Sequence, residues 1–284
     1  PCERKLLIEQ FEDGQVDVRA MNGARYERLW DDEVFAEIDR WLIAGGWVPA
    51  YPTFNIDPNT PIAEREKALI RTDRYSFTFY FTEPRFRAGD GFSDHQGGGG
   101  LSGSADISLA QGFADPRDHD GLGGLRKGIM VYNGETGHKS FGWQQFLFRN
   151  VCCNFNIWDM SEGISRRARH TASVRDAFAV FKEDVQKLSG DLTELELDHL
   201  RKAKTVEFAK DDEAALKRLN YLGVQKRYAT PAITAARNDI NGGDLSLWSV
   251  VNGMTWSAKE LSNEEDRVEL CTHAGRVLET VLAE

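Results

Sequence analysis

The sequence predicts an α+β protein with an antiparallel β-rich amino-terminal half, a long Gly-rich insertion and an α-helical carboxy-terminal half. Two observations carry that reading. Up to about residue 160 the apolar residues alternate with polar ones in short runs, the period of strands. From Ser161 onward they recur every three to four residues, the period of helices. Strands and helices are segregated rather than interleaved, which excludes a repeated βαβ arrangement and its parallel sheet. The expected division is a β-rich domain over 1–160 and a helical region over 161–284 packed on the same core.

Residues 4–29 hold small alternating runs around the turn signals "EDGQ" and "MNGA", which predict strands in hairpins. "DDEVFAEIDRWLIAGG" opens with acids and sets Val34, Phe35, Ile38, Trp41 and Leu42 at helical spacing before Gly45-Gly46, so it predicts an amphipathic helix. "PIAEREKALIRTD" predicts a short helix with Pro61 in its first turn. "RYSFTFYFTEPRF" predicts a strand with one apolar face. Residues 87–125 are so rich in glycine that ordering them is entropically expensive, and they predict long loops around one weak strand near Ile107. The segment "KGIMVYNGETGHKSFGWQQFLFRNVCCNFNIW" then predicts a hairpin with Asn133-Gly134 and Thr136-Gly137 in its connection.

The stretch after it, including "ISRRARH", takes helical character. The next helix places Val174, Phe178, Phe181, Val185 and Leu188 on one face with Thr171 or Ser173 as cap. Further helices are expected at "DLTELELDHLRKAK", "DDEAALKRLNYLG", "TPAITAARND", "DLSLWSVVNGMTWSAKEL" and "SNEEDRVELCTHAGRVLETVLAE". In "SLWSVVNGMTWSAKEL" the apolar stripe of Leu247, Val250, Val251 and Met254 is interrupted by Asn252, a buried amide expected to bond back to loop backbone.

A formal net charge of −10 excludes a general coat for nucleic acid and leaves only a local basic groove. Four cysteines, Cys2, Cys152, Cys153 and Cys271, are too few and too scattered for a disulfide framework, which points to a reducing, cytoplasmic compartment. No apolar run reaches the ~20 residues of a membrane span, so no membrane partner is expected. Pro1 reads as the residue left after removal of an initiator Met or as a boundary.

"GGGGLSGS" lacks the Lys-Ser/Thr of a phosphate-binding loop. Asp115, Asp118 and Asp120 with His119 offer ligands to a hard cation but depart from the calcium-loop pattern, so an acidic surface loop is the better reading and no metal or other cofactor is assigned. Cys152 with His170 or His138 as base would make a cysteine nucleophile, yet no known signature surrounds it and small core residues are the better reading. The remaining candidate is the acid-free run Arg166, Arg167, Arg169 and His170. Together with Lys139 and Arg149 it forms a local phosphate-binding edge, and Trp143 and Trp158 supply rings for stacking on unpaired bases. Against it stands a solvated basic face above an aromatic core.

These motifs resemble the phage/plasmid-like proteins of a family known as domain of unknown function 932. Arg149, Cys152 and Asn154 fit its Arg-x-x-Cys-x-Asn core; Arg169, His170 and Thr171 fit its Arg-His-Thr; Trp248, Asn252 and Thr255 fit its late Trp-x-x-x-Asn-x-x-Thr element. The likeness covers roughly residues 70–260. It implies a mobile-element setting in a host cytoplasm and brings no assigned chemistry. The expected function is therefore single-stranded nucleic-acid handling, such as binding or annealing, by a homo-oligomer. Virion assembly or interaction with a phage or host protein stands as one alternative, and a metal- or cysteine-dependent enzyme as another.

Overall fold

The computed structural model describes residues 3–45, 47–50, 69–81, 125–149, 154–156, 164–188, 194–238 and 243–284. The Gly-rich insertion with its strand near Ile107, Cys152 and Cys153, and residues 61–68 of the helix expected over 61–73 lie outside these residues; the end of that segment is not helical, because Ile70–Arg71 form a short strand instead. Among the described residues there are two antiparallel sheets and seven α-helices, an α+β arrangement with strands in the first half and helices in the second.

A two-stranded ribbon comes first: β1 (Arg4–Gln10) pairs with β2 (Val16–Gly23), and a bulge between Leu7 and Ile8 leaves Arg19 as the extra residue. Helix α1 (Asp31–Ala44) follows, with Asp31, Asp32 and Glu33 in its first turn, where carboxylates complement the helix dipole. The main sheet has β5 (Ser76–Phe81), β6 (Leu125–Asn133) and β7 (Phe141–Arg149) at its centre. β3 (Val48–Ala50) and β4 (Ile70–Arg71) share the free side of β5. β8 (Asn154–Asn156) and β9 (Ser165–Ala168) share the free side of β7.

The register sets two rows across this sheet. Thr78, Val131, Trp143 and Arg166 are successive partners, and so are Phe77, Tyr132, Gly142 and Arg167. Because side chains alternate, the two rows look to opposite faces. One face carries Tyr80, Ile129, Val131, Phe141 and Trp143 against α1 and α2 (Ala177–Lys187), which follows a 3₁₀ turn at Ala172–Asp176. The other carries Phe77, Phe79, Met130, Tyr132 and Phe146 against α3 (Glu194–Thr205), α4 (Asp212–Tyr221), α5 (Lys226–Arg237), α6 (Leu247–Ala258) and α7 (Glu264–Leu282).

Two further expectations change in the main sheet. β5 is buried on both faces, not one: Ser76, Thr78 and Tyr80 are as inaccessible as Phe77 and Phe79. Helix α1 covers that second face and meets its hydroxyls with acids, Ser76 Oγ donating to Asp31 and Tyr80 Oη to Asp39. The residues Ser165–Ala168, expected to be helical, form the strand β9, because pairing with the free side of β7 satisfies their backbone there.

Helix α6 is buried on every side except at Trp256. Asn252 does not bond to a loop: its Nδ2 donates to Trp248 O within the helix at 2.8 Å, and Thr255 Oγ1 donates to Asn252 O at 2.9 Å. At Gly253 the helix lies directly on α5, where a Cβ would overlap the Ala232 carbonyl. A buried ion pair, Lys127 Nζ to Glu196 Oε2 at 2.8 Å, joins α3 to β6, and Gln145 Nε2 donates to the second carboxylate oxygen at 3.3 Å.

Gly253→Ala is expected to force α5 and α6 apart. The overpacking penalty of about 3 kcal/mol outweighs the gain of roughly 1 kcal/mol in helix propensity, leaving a net loss of about 2 kcal/mol in urea unfolding with an unchanged slope.

Candidate functional site

The turn between β6 and β7 is held by the segment that leads out of the ribbon. Asn22 Nδ2 donates to Thr136 O at 3.1 Å, Tyr26 Oη to Gly134 O and Glu135 O at 3.0 and 3.1 Å, and Arg28 Nη1 to Glu135 O at 2.8 Å. Gly137 adopts a φ of +90° and passes against the Asn22 amide, a conformation and a clearance that favour glycine.

His170 belongs to this clasp. It is buried, its ring stacks on Tyr26 with centroids 5.1 Å apart, and Nδ1 lies 3.2 Å from Glu27 O, while Glu27 N donates to His170 O at 3.0 Å. Burial pushes its pKa below the ordinary value, against the effect of its backbone hydrogen bonds, which disfavours the charged ring. It packs inside the clasp, buried, where the expectation for this residue was a place on an open phosphate-binding edge.

The basic run divides across β9. Arg166 faces α2, where its Nε donates to Asp184 Oδ2 at 2.6 Å, and the same oxygen accepts from Trp143 Nε1 at 3.0 Å. Trp143 is 1% exposed, edge-on to Phe181, and so has no face for a base. Its expected stacking role gives way to core packing. Arg167 and Arg169 are exposed and make no ion pair among the described residues. Arg149 ends β7, paired with Asn154, and Trp158 lies outside the described residues. So do Asp115, Asp118, His119 and Asp120; among the described residues no three His, Cys, Asp or Glu side chains gather to hold a metal.

Lys139, at the end of the turn, enters a cleft between the sheet and α7. Its Nζ lies 3.9 Å from the Tyr75 ring centroid and 4.8 Å from that of Tyr132, and burial lowers its pKa against the pull of Glu265 and Glu269. The cleft has a volume of about 330 Å³, and Gln144, Thr272 and Arg276 also line it. Sequence reasoning selected Lys139 but missed its neighbours. They come from the turn into β5, from β6, from β7 and from α7, which only the sheet register and helix packing bring together.

Arg74 and Tyr75 separate this cleft from a second, of about 310 Å³, beneath the ribbon, with Leu7, Trp30, Asp31 and Arg71 in its walls. Asp31 is the polar centre there: Ser76 Oγ donates to it, Asn133 Nδ2 donates at 2.7 Å, and Arg71 Nη1 lies 3.7 Å away. Burial raises its pKa above the ordinary carboxylate range.

The ribbon carries the largest exposed apolar feature among the described residues. Leu6 opposite Met21 and Ile8 opposite Val18 share one face with Val16, and these five side chains are 52–62% exposed. Leu7 and Ala20, on the other face, are half-buried toward the body.

No protein-family description, curated protein or solved structure matches the chain. The resemblance to phage/plasmid-like proteins rests on its short motifs alone.

The stability of the clasp should depend on pH. Below the ordinary imidazole value of 6.5 an unfolded chain protonates His170 while the folded chain resists, so falling pH favours unfolding. His170→Phe, which keeps the stack on Tyr26, is expected to lose less stability than the wild type between pH 7 and 5 in urea titrations; equal losses would show that His170 does not titrate differently on folding.

Proposed function

We propose that the chain is an assembly protein that associates with a second copy of itself through the amino-terminal ribbon. The observation that carries this reading is the exposed stripe of Leu6, Met21, Ile8, Val18 and Val16. An isolated two-stranded ribbon is marginally stable in water, and an apolar stripe of this extent calls for a cover. A second copy offers one of matching shape and charge. Stacked in opposite directions about a two-fold axis near Ile8, two ribbons set the base of one, with Arg4, against the tip of the other, with Glu12 and Asp13.

The strength of this contact follows from its size. Removing five half-exposed apolar side chains per copy from water stabilises the pair by about 10 kcal/mol, at roughly 1 kcal/mol each. With an association cost of ~4 kcal/mol, the low end of its range, the dissociation constant is on the order of tens of micromolar.

Sedimentation equilibrium on either side of ~40 μM is expected to show a reversible dimer. Ile8→Lys with Val18→Lys should give a monomer with an unchanged melting temperature, since both side chains are exposed in the monomer. A wild type that stays monomeric well above that concentration would overturn the reading.

A second reading, single-stranded nucleic-acid binding, is favoured by Arg167 and Arg169 alone, two exposed cations with no carboxylate partner among the described residues. Fluorescence anisotropy with a labelled single-stranded oligonucleotide should then show salt-sensitive binding that Arg167→Ala with Arg169→Ala abolishes. Binding indifferent to salt or to this variant would refute it.

A further inference from the structure

We infer that the cleft between the β6–β7 hairpin and α7 is a binding site for a small organic oxyanion, a carboxylate or a phosphate monoester, held by Lys139, Gln144 and Arg276. The inference does not depend on the ribbon. Three polar groups line the same ~330 Å³ cleft with bonding capacity unused. That volume is at the lower end of the range for small-molecule sites.

Lys139 is the first. Its ammonium sits on the rings of Tyr75 and Tyr132 and makes no ion pair or hydrogen bond through Nζ among the described residues. The rings lend it partial compensation from one side, leaving its donors open to an acceptor from the cleft. The second is Gln144, whose side chain is 8% exposed, yet its amide makes no hydrogen bond among the described residues. Its amide opens on the cleft, where a polar occupant would supply it with partners. Arg276 is the third, exposed on α7 at the rim and also without an ion pair among the described residues.

The acids of the cleft divide in the same sense. Glu265 is already answered, accepting from Thr72 Oγ1 at 2.6 Å and lying 3.6 Å from Arg74 Nε. Glu269 is exposed at the rim and favours the charged form of Lys139. It opposes an incoming anion with no cation of its own among the described residues, whereas the charge of Glu265 is partly offset by Arg74. The floor, from Met130 and Val268 with the tyrosine rings, suits an apolar body on the same ligand. An oxyanion against Lys139 and Arg276 gains charge-assisted hydrogen bonds, and a polar atom within reach of Gln144 fixes its orientation.

The test uses the full chain and two probes, glycerol phosphate and benzoate, one for each source of the oxyanion. Titrations followed by the side-chain amide resonances of Gln144 are expected to give a saturable shift with at least one probe, and the tighter of the two names the headgroup. Affinity for that probe should fall about tenfold in Lys139→Met and in Arg276→Ala, and rise several-fold in Glu269→Gln, which removes the opposing charge. Should Lys139→Met fail to fold, the Arg276→Ala and Glu269→Gln pair decides. No saturable shift with either probe, or an affinity indifferent to both rim variants, would overturn the inference.

Discussion

The architecture depends on one constraint: the central strands must be dry on both faces. Antiparallel sheets often leave one face to water, and then their polar positions need no partners. Here β5 carries Ser76, Thr78 and Tyr80 on its less apolar face and buries them all. Burying those hydroxyls is tolerable because α1 brings Asp31 and Asp39 to two of them, and the position of α1 is fixed by that match as much as by Val34, Phe35 and Ile38. Helix, strand and acid are a single solution to one desolvation problem.

The same constraint explains why the basic run divides in two. β9 is short and lies on the free side of β7, so its alternate residues meet different surroundings. Arg166 falls in the row of Trp143 and finds Asp184 on α2; Arg167 falls in the row of Tyr132 and Gly142 and stays in water. Adjacent arginines thus have different settings: Arg166 is exposed but tied to the buried Asp184, and Arg167 is exposed with no ion pair among the described residues. In that second row Tyr132 carries Lys139 on its ring, and the polar groups of the cleft gather at the hairpin end of the sheet.

Much of this order was legible in the chain. The β6–β7 hairpin announces itself through alternation on either side of Asn133-Gly134, and α1 through its apolar spacing and its first-turn acids, because those signals are local. β9 was not legible: four residues with two arginines have no strand pattern of their own, and only pairing with β7 makes them one. Trp143 looked available because an aromatic in a mixed strand gives no sign of which face is covered, and the covering helix lies forty residues on. Lys139 was visible as a basic residue beside a turn. Its partners Tyr75, Gln144 and Glu265 were not, since no spacing in the sequence connects them.

The clasp on the β6–β7 turn has a consequence for how this protein can drift in sequence. Asn22, Tyr26 and Arg28 all grip main-chain carbonyls of residues 134–136, and apart from Glu135, which caps the start of α1 at 3.2 Å, the clasp reads the path of the turn and not the identity of its side chains. The gripping side of the joint is therefore tied to particular residues, while the gripped side needs little more than its two glycines. Variation should accumulate unequally across that joint, with the turn free to explore new surface chemistry beside the cleft while the ribbon stays fastened in place.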